Sequence, residues 1–164
     1  MRYQCRIAVE PANYDTRFPG TYNARRDNLE GFRKPLFGYS HGLTSVSRLF
    51  ENVSRVRMEG RTLAEGEKDE NVVLEFTPDF GGDMLVACLW SRWTAKDRPD
   101  LLSFAAITDE PPPEVSAAGH DRCIVPIKPE HVDAWLNPDA PKVAALLAIL
   151  DDRDRPYYEH KLAA

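Results

Sequence analysis

Asn71-Val72-Val73-Leu74-Glu75-Phe76, Met84-Leu85-Val86-Ala87-Cys88-Leu89-Trp90 and Leu101-Leu102-Ser103-Phe104-Ala105-Ala106-Ile107-Thr108 are three short apolar runs whose reading decides the fold. Gly81-Gly82 separates the first two, and a polar turn around Lys96 to Pro99 separates the last two. Runs of this length bounded by turn residues are strands, and three in succession predict a meander. Upstream, Gly42 to Arg57 reads as one long strand with Leu43, Val46, Leu49, Phe50, Val53 and Val56 as its apolar members. Its alternation slips, and a bulge near Phe50-Glu51 would account for that while re-aiming one side chain. Met1 to Val9 alternates Met1, Tyr3, Cys5, Ile7 and Val9 with Arg2, Gln4, Arg6 and Ala8, the period of a half-buried strand. Loops are expected over Glu10 to Gly20, a compact turn over Arg33 to Tyr39, and a mobile hairpin tip over Glu59 to Glu70.

Downstream of the meander the punctuation changes. Pro111-Pro112-Pro113 opens a short helix through Ala118, which Gly119 closes, placing His120 at a chain reversal. Cys123 to Ile127 is a brief apolar strand, Pro129 to Leu136 a short helix, and Val143 to Leu150 an apolar helix. Strands in the middle with short helices late predict an α+β fold built on curved, barrel-like antiparallel sheets.

Composition narrows the function. The chain of 164 residues, 43% of them hydrophobic, fits a single domain with a real core. Its formal charge of -5 gives no global field for nucleic acid, so any phosphate contact is local. The odd number of cysteines, Cys5, Cys88 and Cys123, in apolar surroundings suits reduced core thiols in a cytoplasmic protein. His120 and Cys123 resemble half a zinc site, but no second ligand pair has metal spacing, so neither metal nor cofactor is expected. The first residues have no apolar signal region and no 18-residue apolar run occurs, which argues against export and membrane insertion.

The chemistry gathers at a few positions. Thr21-Tyr22-Asn23-Ala24-Arg25-Arg26-Asp27-Asn28 follows the Pro19-Gly20 turn and presents an amide, two guanidiniums and a carboxylate together. Such a run grips a charged, hydrogen-bonding ligand or is simply a solvated turn. Glu51 is either an outward-facing residue or a carboxylate in a drier pocket with a raised pKa. His120 is either a structural hydrogen bonder after a helix-ending glycine or an acid/base.

Asn23-Ala24-Arg25, Phe50-Glu51, Leu89-Trp90-Ser91-Arg92-Trp93, His120-Asp121-Arg122 with Pro126, and Asp133-Ala134-Trp135-Leu136 occur in an order that resembles the SRAP family, the SOS response-associated peptidases. The resemblance covers roughly Met1 to Pro138. It implies a protein that recognises an abasic site in single-stranded DNA and traps its ring-opened aldehyde through an N-terminal cysteine, whose amine and thiol close a thiazolidine. By motif, Glu51 would move protons during imine formation, His120 would protonate the sugar oxygen, and Asn23 would hold the reacting end. Arg25, Arg26 and Arg33 would contact phosphates, and Tyr22 or Phe37 would stack a base or fill the core. The partner implied is single-stranded DNA carrying an abasic site, bound by a monomer.

This chain departs from the family at its start, which reads Met1-Arg2 rather than Met-Cys. Cys5 has a thiol but no free α-amine and cannot close the ring. The expectation is therefore one SRAP-like domain over residues 1–164 that lacks an N-terminal segment and is inactive in capture on its own. Asp27 stands where a Glu commonly follows, one residue beyond Arg26. Two other readings compete: a non-catalytic single-stranded DNA-binding or damage-sensing module, and an unrelated hydrolase using Glu51 and His120.

Overall fold

Each of the three apolar runs is a strand in the computed structural model, which describes residues Met1–Ala163. In chain order the elements are β1 (Arg2–Tyr3), α1 (Tyr14–Arg17), β2 (Asn23–Arg25), β3 (His41–Val46), β4 (Leu49–Ser54), α2 (Arg55–Met58), β5 (Asn71–Pro78), β6 (Met84–Trp93) and β7 (Leu101–Asp109). They continue with α3 (Pro113–Ala117), β8 (Cys123–Ile124), α4 (Val132–Leu136), α5 (Val143–Asp151) and β9 (Tyr158–Leu162). Short 3-10 turns at Arg26–Asn28, Pro129–His131 and Ala140–Lys142 precede or join these elements. The α+β class is as the sequence predicts, with one sheet curled into a half-barrel, a second sheet, and few, short helices.

The chain forms two compact units, each assembled from separated segments. The first comprises Met1–Thr44, Leu85–Asp109 and Ile124–Asp154. Its strands belong to a sheet of order β1-β7-β6-β3, with β2 and β8 also paired to β7. β6 and β7 are antiparallel, but β1 and β2 run parallel to β7, so the sheet is mixed rather than wholly antiparallel. The core beneath it contains Ile7, Leu29, Leu89, Ile107, Val125, Trp135 and Leu150. Trp135 is fully buried, and its indole N–H still finds the Gly42 carbonyl at 2.9 Å, as a buried indole requires.

His41 lies in the same core. It stacks between Phe37 and Trp135, accepts the Gly38 N–H at Nε2 over 2.8 Å, and faces the Trp135 carbonyl with Nδ1 at 3.1 Å. These two contacts define a neutral ring with its proton on Nδ1. Burial pushes its pKa down from 6.5 to about 4.

The second unit comprises Ser45–Met84, Glu110–Cys123 and the chain from Arg155 onward. Its sheet is antiparallel, in the order β4-β5-β9. Leu49, Val53, Leu74, Phe76 and Val115 are buried here. Tyr158 ties β9 in through its backbone N–H to Glu114 Oε1 at 3.0 Å and its hydroxyl to Met84 Sδ at 3.2 Å.

Four local expectations change. The strand over Met1 to Val9 shortens to β1, because Gln4 adopts a φ of 105° and Cys5 then donates to the Thr21 carbonyl instead of continuing the ladder. The long strand over Gly42 to Arg57 is two strands and a helical turn. Its slip in alternation is the break at Ser47-Arg48, whereas β4 pairs with β5 without a bulge from Leu49↔Phe76 to Ser54↔Asn71. The meander is interrupted, since β5 pairs with β4 and β9 while β6 pairs with β7 and β3. Finally, the chain from Asp151 onward, charged and then aromatic at Tyr157 and Tyr158, reads in sequence as a tail without an element, yet it contains a strand, β9.

Candidate active site

β4 determines what Glu51 can do. Side chains alternate across a strand, and Leu49 and Val53 are buried at 8% and 2% exposure while Phe50 stands out at 56%. Glu51 shares parity with Leu49 and Val53 and sits directly opposite Leu74 of β5, which is also buried. The carboxylate therefore projects from the covered, apolar face rather than from the solvated one. The side chain is still 31% exposed, so the covered face leaves it partly open to water.

His120 is delivered by the end of α3. The Gly119 N–H bonds to the Ser116 carbonyl at 3.0 Å and the His120 N–H to the Val115 carbonyl at 3.2 Å, the paired bonds of a Schellman motif. Gly119 takes the φ of +97° that this motif needs. It also lets α3 close on α2, since a Cβ at Gly119 would lie 3.1 Å from Arg57 Cβ and 3.4 Å from the Met58 nitrogen.

The two elements bring the side chains together: His120 Nε2 lies 3.1 Å from Glu51 Oε2. The hydrogen bond to Glu51 raises the His120 pKa above 6.5; partial burial opposes this, and the charges of Glu51 and Asp121 add to it. Such a pair shares a proton and can exchange it with a third group, which is the equipment of general acid/base catalysis.

Asn23 and Arg25 lie in the first unit on β2, whose register on β7 is Asn23↔Ala106 and Arg25↔Thr108. Ala24 between them is buried, so both polar neighbours face outward. Asn23 Oδ1 accepts the Tyr3 hydroxyl at 2.7 Å, and the Tyr3 ring stacks on Phe104 at 5.2 Å and meets the edge of Tyr22 at 5.4 Å. The tyrosine thus fixes which way the amide points. Sequence reading misses Tyr3 in this role, although an aromatic on an N-terminal strand was the available signal.

The three arginines differ. Arg25 forms a bidentate pair with Asp27, Nε to Oδ1 at 3.1 Å and Nη2 to Oδ2 at 2.6 Å, with both side chains more than half exposed. Exposed pairs contribute under about 1 kcal/mol, so a phosphate can compete for this guanidinium. Arg26 is spent between Asp109 and Asp151, in a network that Arg153 completes at Asp109. Arg33 turns inward: it is 2% exposed and donates to the carbonyls of Thr21 at 3.2 Å and Asn23 at 3.3 Å. The expected phosphate contact from Arg33 gives way to a scaffolding one, because the turn that follows tucks it under the backbone it supports. Tyr22 is half-exposed and Phe37 is core.

Residues 11–162 match the family model described as SOS response associated peptidase (SRAP). The chain belongs to the SRAP family. Three solved structures share the SRAP chain's fold. One from Bacteroides thetaiotaomicron has 17% identity and a TM-score of 0.69, covering 99% of this chain and 67% of its own. A protein from Bordetella bronchiseptica has 16% identity and a TM-score of 0.68, with 98% and 74% covered. A phage-related protein from the same organism has 21% identity and a TM-score of 0.60, with 86% and 62% covered. Compared with curated proteins, the SRAP chain finds no match. Among its described residues no helix is long and apolar enough to cross a membrane, and no three His, Cys, Asp or Glu side chains are grouped to hold a metal.

Proposed function

We propose that this SRAP chain recognises abasic sites in single-stranded DNA and promotes opening of the abasic sugar, acting as a monomer in the cytoplasm. The Glu51–His120 contact of 3.1 Å on the covered face of β4 carries the reading. His120, held protonated by Glu51, would donate to the ring oxygen as the sugar opens to its aldehyde. Glu51 would then take and return protons as an amine adds to that aldehyde and water leaves. Asn23, oriented by Tyr3, would hold the reacting end, and Arg25 would contact a flanking phosphate.

Covalent capture needs an amine and a thiol on one residue. The amine forms the imine with loss of water, and the thiol adds across C=N while its proton passes to nitrogen, which closes the thiazolidine. Cys5 is fully buried and burial raises its thiol pKa, so it is not that group. On this reading the residue that offers both groups is an N-terminal cysteine.

Sugar opening is tested without the crosslink by adding an aldehyde-reactive hydroxylamine to an abasic single-stranded oligonucleotide. The expected outcome is faster oxime formation with the wild-type chain than in buffer, lost in His120→Ala and Glu51→Gln. Oxime formation at the buffer rate with wild type overturns the reading and leaves a non-catalytic DNA-binding module in its place.

A further inference from the structure

Beside the Glu51–His120 pair, and within the same unit, lies a surface recess of about 320 Å³ lined by Arg57, Ser116, Gly119, His120 and Asp121. Arg57 projects from α2 and Ser116 from α3, the two elements that Gly119 allows into backbone contact. The recess is therefore built by packing rather than by a free loop.

What matters at this recess is whether the Arg57 guanidinium is already held by a carboxylate. The chain carries 26 acidic and 21 basic residues, and most of its arginines are taken up by carboxylates. Arg2 and Arg6 share Asp15, Arg48 holds Glu75, Arg55 holds Glu70, Arg61 holds Glu59 and Glu67, and Arg92 holds Asp100. Among the described residues the Arg57 side chain, like those of Arg17, Arg98 and Arg122, makes neither a salt bridge nor a hydrogen bond, and of these four it is the one that lines the recess. It lines the recess together with the Ser116 hydroxyl and the imidazole of His120. A guanidinium fork, a hydroxyl and the His120 imidazole can each donate to an incoming anion, and Asp121, which also lines the recess, limits the charge that it accepts.

We propose that this recess is a phosphodiester subsite, in which Arg57 and Ser116 grip the phosphate next to the sugar on which His120 acts. This rests on the function proposed above, and it adds what that reading lacks, a charged contact placed by the same elements as the acid/base pair. With the phosphate held there, the sugar oxygen of the same nucleotide comes within reach of the imidazole. Arg57 would then be a binding residue, and its loss would weaken association more than it slows sugar opening at saturating DNA.

Two measurements test it. Inorganic phosphate is titrated into the ¹⁵N-labelled chain while the Arg57 Nε–Hε and His120 ring signals are followed. Affinity for abasic single-stranded DNA is measured against salt for wild type, Arg57→Gln and Arg57→Lys. We expect saturable shifts at both residues that Arg57→Gln removes. The same variant should lose affinity about fivefold, the worth of one hydrogen-bonded contact. The slope of log K against log salt should fall by roughly 0.7, one phosphate contact on a single strand, and Arg57→Lys should retain it. Unmoved signals together with a wild-type slope in Arg57→Gln overturn the subsite while leaving sugar opening intact. Saturable phosphate binding in a chain that does not open the sugar upholds the subsite and overturns the function instead.

Discussion

A histidine sharing its proton with a carboxylate is a different reagent from a free imidazole, and Glu51 makes that difference at His120. Because the His120 pKa is raised, the favourable coupling of the pair is present in full below the ordinary value of 6.5 and is lost as pH rises through the elevated value. Glu51→Gln should therefore lower the His120 pKa, as followed by the ring resonances, with burial then unopposed by the carboxylate. The stability gap between wild type and Glu51→Gln should be widest at acid pH and close above the elevated value. The sequence names both residues but not their contact. Nothing in Leu49-Phe50-Glu51-Asn52-Val53 tells which parity faces in, because an apolar residue stands on each face; the buried partner Leu74 across the ladder decides it. Arg33 shows the opposite difficulty. A charge amid polar residues reads as exposed, and only the fold reveals that it is closing off backbone carbonyls.

At the scale of elements, the end of α3 was legible because its chemistry is local: a proline start, a glycine stop and a reversal before His120. Gly119→Ala should cost about 1–3 kcal/mol, since alanine is strained at a φ of +97° and its methyl would press on α2. A lowered thermal midpoint checks the cost. A reduced sugar-opening rate beyond the loss of folded protein would show that His120 had been displaced. Elements fixed by distant partners were less legible. β1 ends at Tyr3 because Gln4 turns away, and β9 exists because β5 offers it an edge, with Leu74↔Leu162 to Pro78↔Tyr158 as the register. Neither cause lies within the segment itself, so Met1 to Val9 reads as longer and Tyr158–Leu162 as tail.

Over the whole molecule, the α+β class follows from the order of strand-like and helix-like runs, while the division into two interleaved units does not show in any local pattern. Stability should also carry the mark of His41. Its pKa is depressed to about 4, so its contribution is complete above 6.5 and is lost as pH falls toward 4. Protonating Nε2 would turn the acceptor of the Gly38 N–H into a donor facing a donor. The unfolding free energy should drop by on the order of 3 kcal/mol across that range, at about 1.4 kcal/mol for each unit of pKa. Denaturant melts at stepped pH check this, with His41→Gln expected to flatten the dependence. The interleaving has a kinetic meaning as well. Pairing of β4 with β5 closes a short stretch of chain, but the β5 edge is covered only when Tyr158–Leu162 arrives, after the segments of the first unit have passed through. Contacts so far apart in sequence slow folding and expose an unpaired edge in the interval. On a ribosome, the sheet that positions Glu51 would thus be among the last parts of the protein to mature.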